Sequence, residues 1–155
     1  MKSYIPTIDI SSLLNLEFST LEAKNAIKKI EKACVEVGFF QVVGHGINIK
    51  KINNVCKIGN KFFNSSKANK NKLAPKKWNK KNKNLYRGYF PNTVNGKEGL
   101  DIGDLQIKPH NSKKYKSPYI EYLDLTKSFN KSSIESLSNY YDNIFSLSEI
   151  LYPNN

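Results

Sequence analysis

The period of apolar and polar positions changes several times along the chain, and each change marks an element. After Pro6, Thr7-Ile8-Asp9-Ile10 alternates with the period of a short strand. A proline at its start suits a position where no ladder N–H is required. Residues 11–18 read as a connector. Ser19-Thr20-Leu21-Glu22 then has capping-box spacing, which predicts a helix with Ser19 as N-cap and Glu22 at N3. Ala23, Ala26, Ile27, Ile30, Ala33, Cys34 and Val37 follow at helical spacing, and Gly38 stands where the helix can close in a left-handed residue. Phe39-Phe40-Gln41-Val42-Val43 is a strand-like run, and Gly44-His45-Gly46 turns the chain. Ile49, Ile52, Val55, Cys56, Phe62 and Phe63 form a second helical stripe, with Gly59 as its weak point.

Periodicity then lapses. Residues 67–84 hold eight Lys and five Asn with little apolar content beyond Leu73 and Trp78, and read as a mobile surface segment with room for one short helix. Leu85-Tyr86-Arg87-Gly88-Tyr89-Phe90-Pro91 restores order, a Gly-containing loop follows, and residues 100–107 alternate as a strand. A further loop holds Pro109 and Pro118. The last element is a helix over residues 132–151: Ser132 and Glu135 have capping-box spacing, and Ile134, Leu137, Tyr141, Ile144, Phe145 and Leu151 share one face. This order predicts an α+β domain of helices packed on a few short strands.

Composition narrows the function classes. The 155 residues suffice for one domain with a core. No run approaches the roughly 18 apolar residues of a membrane span, and the N-terminus shows no secretory pattern. Cys34 and Cys56 lie on helical stripes without a CxxC or a neighbouring ligand, which reads as two buried thiols in a reducing cytoplasm. The net charge is +12, and residues 37–97, with 13 Lys, one Arg and no acidic residue, carry +14 of it, leaving −2 elsewhere. Lysine and asparagine rise together, as an AT-rich coding sequence produces. A solvated surface therefore accounts for the charge, ahead of a phosphate-binding face built on the 67–83 lysines.

Several stretches, in order, resemble the N-terminal region of isopenicillin N synthase-like non-haem iron oxygenases: Ile5 through Ile10, the run from Ala33 to Ile47 with its His45-Gly46-Ile47 turn, Phe62-Phe63 followed by Ser65-Ser66-Lys67, Arg87-Gly88-Tyr89-Phe90-Pro91, Lys97-Glu98-Gly99-Leu100-Asp101-Ile102-Gly103, and the closing helix. The resemblance covers nearly the whole chain. It implies an N-terminal domain spanning residues 1–155, whose last helix leads into a double-stranded β-helix, or jelly roll. That domain holds Fe(II) with an HxD…His triad and leaves positions open for oxygen and 2-oxoglutarate. An Arg-x-Ser motif there binds the 2-oxoglutarate carboxylate.

None of those motifs occurs in these residues. The two histidines, His45 and His110, are followed by Gly46-Ile47 and Asn111-Ser112, and the single arginine by Gly88-Tyr89. The expectation is a chain truncated or split before its jelly roll, binding neither Fe(II) nor 2-oxoglutarate alone, inactive without a separately encoded catalytic domain, and cytoplasmic. The intact enzyme would use both cofactors on a small-molecule substrate. Two rival readings are a free-standing interaction module that has lost the chemistry and a basic nucleic-acid-binding protein.

Among single residues, His45 reads as fixing its turn through ring hydrogen bonds, and His110 as exposed in a polar loop. Trp78 reads as a packing anchor, and Lys97, Glu98 and Asp101 as anchors of their strand. Arg87 has two open readings. It is the one arginine beside 24 lysines, as expected where a planar fork is needed. By resemblance Arg87 and Tyr89 line the substrate mouth and bind substrate, with Arg87 contacting a substrate carboxylate. Alternatively Arg87 forms a structural ion pair with Glu98 or Asp101.

Overall fold

The computed structural model describes residues 5–92, 96–105 and 121–152. His110, Pro109, Pro118 and the last two residues of the predicted 100–107 strand, Gln106 and Ile107, lie outside them; of its described part only Leu100 and Asp101 are strand, and residues 102–105 are not. The fold is α+β, with few short strands and no closed barrel among the described residues. In chain order it comprises β1 (Thr7–Asp9), a 3-10 turn (Ser11–Leu13), α1 (Leu21–Glu36), β2 (Gln41–Val43), α2 (Ile49–Phe63), α3 (Lys67–Asn71), β3 (Gly88–Phe90), β4 (Gly99–Asp101), a second 3-10 turn (Leu125–Lys127) and α4 (Lys131–Leu151). Two compact units divide the chain: residues 1–48 with 143–155, and residues 49–142. No described helix is long and apolar enough to cross a membrane.

In the first unit β1 and β2 pair in parallel, Thr7 with Gln41 through Asp9 with Val43, and a parallel pair needs a long crossover. Helix α1 is that crossover. It buries a narrow seam of small residues, Ala23, Ala26 and Ala33, with Ile30 beside them, against Ile8, Ile10 and Leu13. Alanines let a helix backbone approach a two-stranded sheet closely, so the buried face is narrower than the predicted stripe. Ile27 and Val37 are exposed, and so is Cys34. Cys56 is exposed on α2 as well, so both thiols face solvent rather than the core. The cap also differs from the expected box. Thr20, not Ser19, is the N-cap, its hydroxyl accepting from the Ala23 N–H at 3.2 Å, and Glu22 moves to N2. The C-terminal signal holds: Gly38 has φ +83° and its N–H returns to the Ala33 carbonyl at 2.9 Å. Leu147, Ile150 and Leu151 of α4 pack on the same cluster.

The second unit centres on Phe62 at the end of α2, edge-on to Phe63 and Tyr89 and stacked on Phe129 at 5.0 Å between ring centres. Leu73, Ala74, Leu123, Leu125 and Leu137 complete the buried set. Two of these come from the segment expected to lie on the surface. After α3, capped by Ser66 through the Asn69 N–H, the chain turns inward, and Leu73, Ala74 and Pro75 are fully buried. Its asparagines fasten it. The Asn82 amide donates to the Lys72 and Ala74 carbonyls at 3.0 and 2.6 Å, and Asn79 donates to the Asn71 carbonyl at 2.9 Å. Trp78 packs edge-on against Phe90, as a packing anchor should. Helix α4 begins one residue before the predicted cap: Asn130, not Ser132, accepts from the Ser133 N–H at 2.9 Å. Its predicted apolar face is not uniformly covered, since Ile144 and Phe145 are exposed.

Candidate functional site

The candidate site lies on the β3–β4 hairpin of the second unit. Tyr89 donates its N–H to the Leu73 carbonyl, which draws β3 onto the buried segment after α3. The approach is close enough to dictate Gly88: its φ is +119°, and a Cβ there would stand 2.0 Å from the Leu73 oxygen. Antiparallel pairing sets Gly88 opposite Asp101 and Phe90 opposite Gly99. The residue before Gly88 is therefore placed beside Asp101.

That residue is Arg87. Its Nη1 donates to Asp101 Oδ1 at 2.6 Å, with the arginine side chain about a quarter exposed, at 28%. The predicted ion pair is present, with Asp101 as the partner. The backbone leading into Arg87 is held as firmly. Leu85, Tyr86 and Arg87 donate three consecutive N–H groups to the Glu121 carboxylate at 2.8, 2.8 and 3.0 Å, and Asn84 donates its side-chain amide to the Arg87 carbonyl. Gly103 is in the left-handed region at φ +57°, and the Arg87 side chain fills the space that a Cβ there would occupy. Tyr141 is near enough that burial, then the charge of Asp104, raise its phenol above the ordinary tyrosine value, while Arg87 opposes them.

Tyr89 points into the core and is 3% exposed. Its hydroxyl donates to Glu98 Oε2 at 2.5 Å. The same carboxylate accepts from Lys70 Nζ at 2.8 and 3.1 Å, and Lys70 also reaches the Phe63 carbonyl at 2.9 Å. The hydrogen bond from Lys70, followed by that from Tyr89, holds Glu98 below the usual glutamate range. The bond to Glu98 raises Lys70. Burial, reinforced by the neighbouring carboxylate, raises Tyr89. Glu98 and Asp101 thus anchor their strand as expected, while Lys97 is exposed. Lys70 and Glu121 carry no mark in the sequence: one is a lysine within a lysine run, and the other is distant in sequence from the amides it meets.

His45 takes the structural role read for it, its Nδ1 accepting from the Ile47 N–H at 3.0 Å. Among the described residues no three His, Cys, Asp or Glu side chains come together as a metal-binding group.

The family model described as "non-haem dioxygenase in morphine synthesis N-terminal" matches residues 5–146. A homoarginine-6-hydroxylase of Arabidopsis thaliana is 30% identical over 88% of this chain and 45% of its own length. A probable iron/ascorbate oxidoreductase of Dictyostelium discoideum is 37% identical over 64% of the chain and 28% of its own length. Isopenicillin N synthase of Streptomyces griseus is 32% identical over 65% and 29%, respectively. The chain spans less than half the length of each of these relatives. Because the matched region takes in both units and the whole β3–β4 hairpin, the chain belongs to the non-haem dioxygenase N-terminal domain family.

Proposed function

We propose that this chain is the N-terminal scaffold and substrate-mouth portion of an Fe(II)/2-oxoglutarate-dependent oxygenase, whose iron and 2-oxoglutarate are held by a jelly-roll domain outside these residues. The family match over residues 5–146 carries the proposal. The reading of a separate iron-binding domain is supported by the two histidines, His45 and His110, neither of which stands in an HxD. The intact enzyme couples decarboxylation of 2-oxoglutarate to oxidation of a small substrate. This half contributes packing surface and one side of the substrate entrance.

Within that reading Arg87 is the arm that meets a substrate carboxylate. Two observations support it: an arginine retained where every other basic residue is lysine, and a partly exposed guanidinium. A relative that matches 88% of this chain is a homoarginine-6-hydroxylase by name, and homoarginine carries such a carboxylate. Tyr89 serves the entrance from behind, its hydroxyl tying β3 to Glu98. A purely structural Arg87 is the second reading, favoured by its 2.6 Å contact with Asp101.

Co-expression with the polypeptide encoded by the downstream reading frame tests the proposal. A stable complex that binds Fe(II) and releases succinate from 2-oxoglutarate is the expected outcome. A jelly-roll partner fully active without this chain, and forming no complex with it, would count against it.

A further inference from the structure

Arg87 is surrounded by more constraint than an ordinary surface ion pair requires. Three successive amide N–H groups, at Leu85, Tyr86 and Arg87, converge on the Glu121 carboxylate. Such a run of amides is an anion-binding concavity, and here a side chain of the same protein occupies it. The contact fixes the backbone of the three residues that end in Arg87. On the other side, a Cβ at Gly103 would lie 2.8 Å from Arg87 Nε and 3.1 Å from Cζ, so the guanidinium occupies the space that a side chain at this position would take. Asp101 holds Nη1. Backbone, flank and one edge of the guanidinium are thereby set by three separate residues.

We infer that Glu121 and Gly103 are positioning residues that hold the Arg87 guanidinium in one orientation, as a preformed fork for a carboxylate ligand. A flexible arginine loses side-chain freedom when it binds, and a fork already held in place loses less. The inference deepens the proposed role of Arg87 and rests on it for the identity of the ligand, but not for the orientation itself.

Arg87 is the only arginine, so its Nε–H gives a single assignable side-chain NMR signal. In the wild-type chain that signal should be dispersed and slow to exchange with solvent. In Glu121→Gln, which keeps the size and loses the charge, and in Gly103→Ala, which pushes on the opposite flank, exchange should quicken on the order of tenfold and the shift should move toward that of free arginine. Glu98→Gln, which disturbs the neighbouring network without touching Arg87, should leave the signal in place. An unchanged Nε–H signal in both variants, with their backbone spectra still folded, would overturn the inference. Titration with acetate separates the two levels. A shift of the wild-type Arg87 signal supports the carboxylate role. No shift, alongside quickened exchange in the variants, discards that role and leaves the positioning intact.

Discussion

The Tyr89 hydroxyl donates to Glu98 Oε2 at 2.5 Å, and Lys70 Nζ meets the same oxygen at 2.8 Å. One carboxylate thus joins the buried face of β3 to the end of α3. Its two donors are what hold Glu98 below the ordinary range.

A pH dependence follows. Because folding lowers the Glu98 pKa, its contribution is complete above the ordinary glutamate value of about 4.3 and is lost as pH falls through the depressed one. Because folding raises Lys70 and Tyr89, their contribution is complete below their ordinary values, near about 10, and is lost as pH rises through the raised ones. Urea midpoints followed by the single tryptophan, Trp78, should therefore fall at both extremes. Glu98→Gln should lower the neutral-pH midpoint and flatten the acid limb. Superimposable acid limbs for wild type and variant would show that the network contributes nothing.

The helix starts separate the capping residues seen in the structure from those suggested by spacing. Thr20→Ala and Asn130→Ala remove an acceptor from a helix N-terminus and should each cost about 1 kcal/mol. Ser19→Ala and Ser132→Ala should stay within about 0.5 kcal/mol. Hydrogen exchange of the α1 and α4 amides reads both pairs. Equal losses within a pair would return the cap to the serine.

The Lys/Asn segment should behave as core at chosen positions. Leu73→Ala leaves a cavity beneath β3 and should cost about 2–5 kcal/mol. Asn82→Ala strips the Lys72 and Ala74 carbonyls of their donor and should cost about 1–3 kcal/mol. Exposed Lys80→Gln should change stability by less than about 0.5 kcal/mol. Denaturation followed by Trp78 fluorescence separates the three. A near-neutral Leu73→Ala would mean the segment does not pack as described.

Where the sequence could be read, a repeating pattern or a stereochemical requirement did the signalling. The α1 and α2 stripes, the Gly38 terminus and the β1 alternation each follow from local geometry. The His45 turn was also legible, because a ring nitrogen two residues from an amide has few other partners. Local patterning failed where the deciding contact was distant. Leu73 and Asn82 sit in a polar run whose composition hides a buried turn, and only β3 crossing the Leu73 carbonyl makes them core. The caps shifted by one or two residues because Ser19, Thr20, Asn130 and Ser132 are all competent acceptors, and chain entry selects among them. Arg87 stood out as the one arginine, and Asp101 was a named partner candidate. Glu121 did not, since its three amide partners are 34 to 36 residues away. The cysteines misled because a helical stripe wider than the buried seam leaves its edge positions in water.

The central claim is that this chain is one portion of an oxygenase whose iron is bound elsewhere. Succinate release from 2-oxoglutarate, measured with added Fe(II) and oxygen on the purified chain and on the chain combined with a jelly-roll catalytic domain, tests it most directly. The account predicts no succinate from the chain alone and turnover from the combination. Sustained, iron-dependent succinate release by the chain alone would contradict it.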